Sequence, residues 1–328
     1  VDKEIEFIKN SGVKIVTGTT VGKDIEFEDL QREYQVIFVA VGASEAKRLN
    51  IEGKDREGVY TAVDFLRKVN LEERVEMGKK VVVIGGGKTA EDTARTALRL
   101  GAEEAMCIEI RAEEDMLPLD GTTEAEGVKI LYSTSPVKIM GDNGKATSLL
   151  CVKMRKGEID ENTGHPRLVP VRGSEHLIPA DTIIMATGQY SDITFLPKEV
   201  NICGTRTTVN PQTMQTNLPG IFAGGDVVSG PDVLIYAIAA GRKAALSIER
   251  YLRGEELGPV SLHPIDKEVD DLPLATITRK ERIHASVLPL EQRREGFREI
   301  ELAFTEKMAR EEAGRCLECG ICGVCYRG

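Results

Sequence analysis

Two groups of residues have the types and spacing to do chemistry. The first is Gly85-Gly86-Gly87-Lys88-Thr89-Ala90, which contains the spacing G-x-G-x-x-A. The second is Cys316, Cys319, Cys322 and Cys325, four thiols at a regular interval of three. The glycine group suits the phosphates of a dinucleotide. Its first glycine permits a sharp turn, its second lets a pyrophosphate approach the backbone, and the small third residue lets a helix pack on a strand. The start of that helix offers free N–H groups and partial positive charge to the phosphates. Lys88 adds a cation there, beside Thr89.

The cysteine group suits a metal centre. In a reducing compartment a tight run of thiols serves as ligands rather than as disulfides. Four soft ligands within ten residues fit a [4Fe–4S] cluster. The spacing differs from the bacterial ferredoxin run, so a zinc site, or a half-site completed by further sequence, stays open beside it. The other cysteines, Cys107, Cys151 and Cys203, read as buried hydrophobes. His165, His176, His263 and His284 are scattered and read as surface residues. Hydride transfer between cofactors needs positioning more than a side-chain acid or base, so no catalytic side chain is assigned.

The elements around the glycine group have the order that a dinucleotide site requires. Residues 80–84 are an apolar strand, 88–100 a helix ended by Gly101, and 105–110 a second strand. Glu109 falls about 20 residues beyond the third small position, where a carboxylate reads the ribose hydroxyls and repels a 2′-phosphate. Arg111, two residues on, argues the other way, and a solvated strand-end charge is the plainer alternative for Glu109. Further strands are expected at 13–16, 35–41 and 180–186, a strand and turn at 221–226, and a small β-meander over 128–171. Helices are expected over 62–70, 231–252 and 290–313. The helix over 231–252 carries an alanine packing face of Ala237, Ala239, Ala240, Ala244 and Ala245.

The whole chain bounds the partners. With 328 residues it can hold two ordinary domains. Its net charge of −10 argues against nucleic acid or an anionic membrane surface as the main partner. No apolar run approaches the roughly 20 residues of a membrane span. With Val1-Asp2-Lys3 at the start and no visible secretion signal, a cytoplasmic location is expected. A first residue other than Met, and an end beside the cysteine run, lead to the expectation of a fragment of a longer polypeptide.

Several separated segments resemble one family in the right order. They are Val81–Gly87 with Thr93–Ala102, Val39–Ala43, Gly58–Leu66, Gly173–Glu175, Ala186–Gln189, Gly224–Pro231 and Arg315–Gly320. Together they are similar to the glutamate synthase small (β) subunit and its relatives, which are FAD- and NADPH-dependent oxidoreductases that pass electrons to iron–sulfur clusters. The resemblance covers nearly the whole chain. It implies an α/β fold in which a Rossmann-type NAD(P)-binding domain is inserted in a partial FAD-binding domain, a flavoprotein with two dinucleotide-binding domains. Residues 1–45 and 186–255 are then pieces of the FAD domain, 46–185 the NAD(P)H domain, and 256–328 an extension with the Cys-rich tail.

The resemblance also implies that Asp226 contacts FAD, with Gly188, Gly225 and Ala237 among the cofactor-binding residues. The helix after Gly230-Pro231 would point its N-terminus at the flavin. Three departures stand out. The family's FAD fingerprint near the N-terminus is absent, and Lys88 stands where Asn is frequent. The family's arginine pair after the second strand is reduced to Arg111, with Glu109 and Glu113 beside it, so a shift toward NADH is expected. The implied activity is electron transfer from NAD(P)H through FAD to iron–sulfur clusters on a partner subunit or a fused ferredoxin domain. Alternatives are another NAD(P)H–ferredoxin or sulfide-dehydrogenase-like flavin reductase, or a nucleotide-binding fragment without turnover. For the cysteine run the expected result is bound iron with a visible thiolate-to-iron absorption band; zinc without colour in metal analysis would replace that reading.

Overall fold

The computed structural model describes residues 2–116, 121–160, 164, 166–259 and 280–315. In chain order the helices are α1 (Asp2–Asn10), α2 (Phe27–Glu33), α3 (Ala62–Asn70), α4 (Lys88–Arg99) and α5 (Thr122–Ala125), then α6 (Asp226–Ser229), α7 (Leu234–Leu252), α8 (Leu290–Arg293) and α9 (Glu306–Ala313). The first strands are β1 (Ile37–Val39), β2 (Glu45–Ala46), β3 (Val59–Thr61), β4 (Lys80–Ile84), β5 (Glu104–Ile108) and β6 (Lys129–Leu131). They are followed by β7 (Thr134–Asp142), β8 (Lys145–Ile159), β9 (Pro166–Pro170), β10 (His176–Pro179) and β11 (Thr182–Met185). Last come β12 (Gln189–Tyr190), β13 (Ile202–Cys203), β14 (Arg206–Thr207) and β15 (Ile221–Ala223). The described residues divide into two units, one of 2–44 with 190–259 and one of 45–189 with 280–315.

The second unit is built on a parallel sheet ordered β3-β11-β4-β5-β6. β4 lies at its centre, and successive side chains of a strand point to opposite faces. Val81 and Val83 face Phe65 of α3 and Ala90, Ala94 and Ala97 of α4. Val82 and Ile84 face Ile139, Leu149, Cys151 and Ile178. The latter belong to an antiparallel sheet ordered β10-β8-β7, with β9 paired to β8. Burial on both faces is why residues 81–84 read as an unbroken apolar run. The three alanines of α4 are fully buried, so the helix lies close to the strand it follows. The start of β4 is pinned by Asp181, whose carboxylate accepts from the N–H groups of Lys79 at 3.1 Å and Lys80 at 2.9 Å.

The first unit has a shorter framework. β1 and β15 pair in parallel, with Ile37 opposite Ile221 and Val39 opposite Ala223. Phe27, Leu196, Val200 and Val227 complete the core around them. α7 approaches this pair closely: a Cβ on Gly224 would lie 2.9 Å from Phe38 Cζ and 3.1 Å from Ala240 Cβ.

Several expectations change in detail. Residues 13–16 form no strand, and Val13, Ile15 and Val16 are exposed, with no described strand beside them. The strand expected over 35–41 shortens to the three residues that pair with β15. The first strand of the expected meander, β6, joins the parallel sheet next to β5. In place of one helix over 290–313, α8 and α9 flank an extended return. Gly296 turns the chain at φ +109°, and Leu288 and Leu302 donate main-chain bonds to Ile300 and Ser286. Cys107 and Cys151 are buried, but Cys203 is exposed because it sits in a two-residue surface hairpin. On α7 only Ala244 of the expected alanine face is fully buried, and Ala245 is exposed. Among the described residues no helix is long and apolar enough to cross a membrane.

Residues 280–315 are fastened to α4 by a network of charges. Glu126, 1% exposed, accepts two bonds from Arg95, at 2.9 and 2.6 Å, and one from Arg99 at 3.1 Å. Arg99 then donates through Nε to the carbonyl of Arg293 at 3.0 Å. At the far end of the segment, Glu312 accepts the N–H of Ile283 at 2.8 Å, and Arg315 donates to the carbonyl of Lys280. The bonds made by Arg99 are charge-assisted, worth about 1.5–3 kcal/mol apiece. Arg99→Ala is expected to speed amide exchange at Leu288 and Leu302 while leaving Val82 and Val83 protected; unchanged exchange at Leu288 would show that the latch contributes nothing.

Candidate functional site

The turn after β4 has three glycines with three different reasons. Gly85 has φ +133°, and a Cβ there would lie 2.5 Å from the Ala186 carbonyl oxygen. At Gly86 a Cβ would lie 2.7 Å from Glu109 Oε2. Both are therefore required by the protein's own packing. Gly87 has φ −89° and ψ 177°, a conformation open to any residue, and a Cβ on it would meet no atom within 4 Å. The protein itself makes no demand for glycine at that position.

Gly87 is the N-cap of α4; Ala90 N–H donates to its carbonyl at 2.8 Å, whereas the N–H groups of Lys88 and Thr89 have no acceptor within the helix. Gly87, Lys88, Thr89 and Ala90 border a cavity of about 220 Å³. Ala62 and Val63 of α3 form another side of it, with Met185, Ala186, Gly188 and Gln189 at the end of β11. Gly188, at φ +105°, thus borders the same cavity as the dinucleotide-type turn. Lys88 Nζ lies 3.4 Å from Oε1 of Glu91, a buried carboxylate whose Oε2 accepts the Thr123 hydroxyl at 2.7 Å. Cys107 Sγ lies 3.7 Å from the Ala90 carbonyl, and burial pushes its thiol up to about 12, so it is no nucleophile at neutral pH.

Glu109 follows β5 directly and is 4% exposed. Its Oε1 accepts the Arg111 main-chain N–H at 3.0 Å and Arg111 Nε–H at 2.8 Å, and its Oε2 accepts Nη2–H at 3.3 Å. Burial pushes the carboxyl up, but the bonds and charge of Arg111, with the N–H of Gly86, outweigh it and hold Glu109 below the ordinary carboxylate range. The bond to Glu109 in turn raises Arg111. Glu109 is therefore a paired anion at neutral pH rather than a solvated strand-end charge.

The first unit carries a second cavity, of about 270 Å³. Phe38, Ala40 and Gly42 border it from β1 and the turn that follows. Gly224, Gly225 and Asp226 border it from the end of β15 and the start of α6, and Asp232, Leu234 and Ala237 from the start of α7. The backbone at Gly225, with φ +74° and ψ −155°, favours glycine, and a Cβ there would be in ordinary contact with Ala237 Cβ at 3.4 Å. Asp232 caps the approach to α7, its carboxylate accepting the Val233 N–H at 2.7 Å.

Sequence reasoning did not find the contributions of Ala62 and Val63, which are marked only by Thr61, the capping residue of α3. It also missed Glu91, Thr123 and Glu126, which lie near the turn or behind α4, because paired buried charges leave no periodic signal. Among the described residues no group of His, Cys, Asp and Glu is placed to hold a metal ion. Cys316, Cys319, Cys322 and Cys325 lie outside the described residues, as do His165 and His263. His176 is half-buried, with Nδ1 2.9 Å from the Ser174 carbonyl, and His284 is exposed.

Comparison with known proteins gives this geometry a family. The chain is 37% identical to the NADP(+)-dependent formate dehydrogenase subunit beta of Moorella thermoacetica, over 98% of this chain and 47% of that protein. It is 36% identical to the glutamate synthase [NADPH] small chain of Escherichia coli K12, over 75% of this chain and 57% of that one. The chain thus spans about half the length of the curated relatives it matches. Among solved structures, Mycobacterium tuberculosis FprA in complex with NADPH shares the fold, with a TM-score of 0.58 at 18% identity over 72% of this chain and 68% of that one. Residues 1–241 match the pyridine nucleotide-disulphide oxidoreductase family, and the chain belongs to that family.

Proposed function

We propose that the chain is part of an oxidoreductase that takes electrons from NAD(P)H and passes them through FAD to iron–sulfur clusters, in the manner of the glutamate synthase small subunit. Gly87 carries the nicotinamide half of this reading. It is a glycine that no described residue requires, beside a cavity and at the start of a helix whose N–H groups suit an anion. A pyrophosphate held there accounts for the missing side chain. Gly85, Gly86, Lys88, Thr89, Ala90 and Gly188 would frame that nucleotide. Gly225, Asp226 and Ala237 would frame the FAD, with the start of α7 toward it.

When bound, FAD supplies the exchange between two-electron hydride chemistry and single-electron transfer. The residues of the chain hold and orient the two nucleotides, and no side chain is required to move a proton. The cysteine run 316–325 supports an iron–sulfur acceptor, on this chain or on a partner subunit or fused ferredoxin domain. The two relatives described above are themselves a beta subunit and a small chain. A cytoplasmic location fits cysteines kept as ligands. A second reading, nucleotide binding without turnover, needs only the turn at Gly85–Ala90 and the cavity beside it.

Two measurements test this. Gly87→Val should fold, with at most about 1 kcal/mol lost at the helix cap, yet bind nicotinamide nucleotide at least about tenfold more weakly. Equal affinity would remove the nucleotide from this turn. The chain mixed with FAD, NADH or NADPH, and an electron-accepting dye should reduce the dye. Failure to take up flavin, with nucleotide binding intact, would favour the second reading.

A further inference from the structure

Glu109 and Arg111 form a closed unit at the place where the adenosine ribose falls in a strand–turn–helix–strand dinucleotide site. A carboxylate has about four acceptor positions. In Glu109 three of them are taken by Arg111. The bonds are unequal. Those from the Arg111 main chain and Nε are 3.0 and 2.8 Å, and that from Nη2 is 3.3 Å.

We infer that the Glu109–Arg111 pair makes this site select NADH, the dinucleotide with a free ribose 2′-hydroxyl, over NADPH. The inference rests on the dinucleotide reading of the Gly85–Ala90 turn. A 2′-hydroxyl is a donor and can replace the long Nη2 bond while the two shorter ones stay in place. A 2′-phosphate is an acceptor with roughly two negative charges. It would stand against a buried carboxylate already in contact with the guanidinium, so the pair offers it no net positive charge. Freeing Arg111 for the phosphate would strand the buried charge of Glu109, which is costly. The main-chain bond from Arg111 also ties the two residues together through the backbone of their own turn.

The stretch that follows adds negative charge. Glu113, Glu114 and Asp115 follow within a few residues. Lys156, which reaches this stretch, is itself held by Glu114 at 3.2 Å and Asp115 at 2.7 Å. The described charges from 109 to 115 are thus predominantly negative, and any 2′-phosphate meets them.

The test is direct titration of the full chain with NADH and with NADPH, followed by nicotinamide fluorescence. NADH is expected to bind at least about tenfold more tightly. Glu109→Gln keeps the shape and an acceptor for Arg111 but removes the charge, and it should raise NADPH affinity about tenfold and cancel or invert the preference. Wild-type chain that binds NADPH more tightly would overturn the inference, whether or not the variant folds. So would a loss of NADPH affinity in Glu109→Gln, which would make Glu109 a holder that aims Arg111 at the phosphate. Binding of neither nucleotide by the wild-type chain would overturn the dinucleotide reading itself, and this inference with it.

Discussion

The second unit depends on one strand having no exposed face. β4 has helices α3 and α4 on one side and the antiparallel sheet of β7, β8 and β10 on the other. Because Val81, Val82, Val83 and Ile84 are all buried, the strand cannot slip its register without moving apolar side chains out of both cores. The turn at its end is therefore presented at a fixed height and direction. Everything attributed to the nucleotide site follows from that: the φ of Gly85, the N-cap at Gly87, the alanine face that holds α4 down, and the approach of Glu109 to Gly86. Core and site are one construction here, since the residues that pack the strand also aim the helix.

The two units build their cavities on different frameworks. The cavity at the Gly85–Ala90 turn has walls from three elements of a five-stranded sheet system. The cavity at Gly225 and Asp226 is built on a pair of three-residue strands, and much of the helix beside it is uncovered, with Val233, Leu234 and Ile238 exposed. A helix whose apolar residues face outward is only partly accounted for by its own unit.

Much of this was legible in the residues, and the reasons are physical. Residues 80–84 and 88–99 show their periods plainly because burial is continuous on the strand and one-sided on the helix. The glycine turn is legible because positive φ and close approach exclude other residues. Residues 13–16 misled, because Val-Lys-Ile-Val has strand propensity and propensity supplies no partner strand. Residues 290–313 misled in the opposite direction: a charged stretch with helical spacing is folded back by a glycine and two main-chain bonds that no local pattern announces. Glu126 and Asp181 were invisible for a related reason. A carboxylate that satisfies distant partners reads, in sequence, like any surface acid. Glu109 was legible as a position but not as a state, since only the structure shows it buried and bound three times by Arg111.

The Arg99 latch has a practical side for anyone who wishes to divide this chain. The residues before the cysteine run look dispensable in sequence, being polar, proline-bearing and remote from the glycine turn. A shortened chain ending near residue 259 would nevertheless leave Arg99 without the Arg293 carbonyl it donates to, on the same helix whose first turn borders the cavity at Gly87. The trimmed protein would carry a loosened seam along the back of α4. The natural place to part the cysteines from the nucleotide-binding body is therefore after Arg315, where the last described side chain closes back on Lys280.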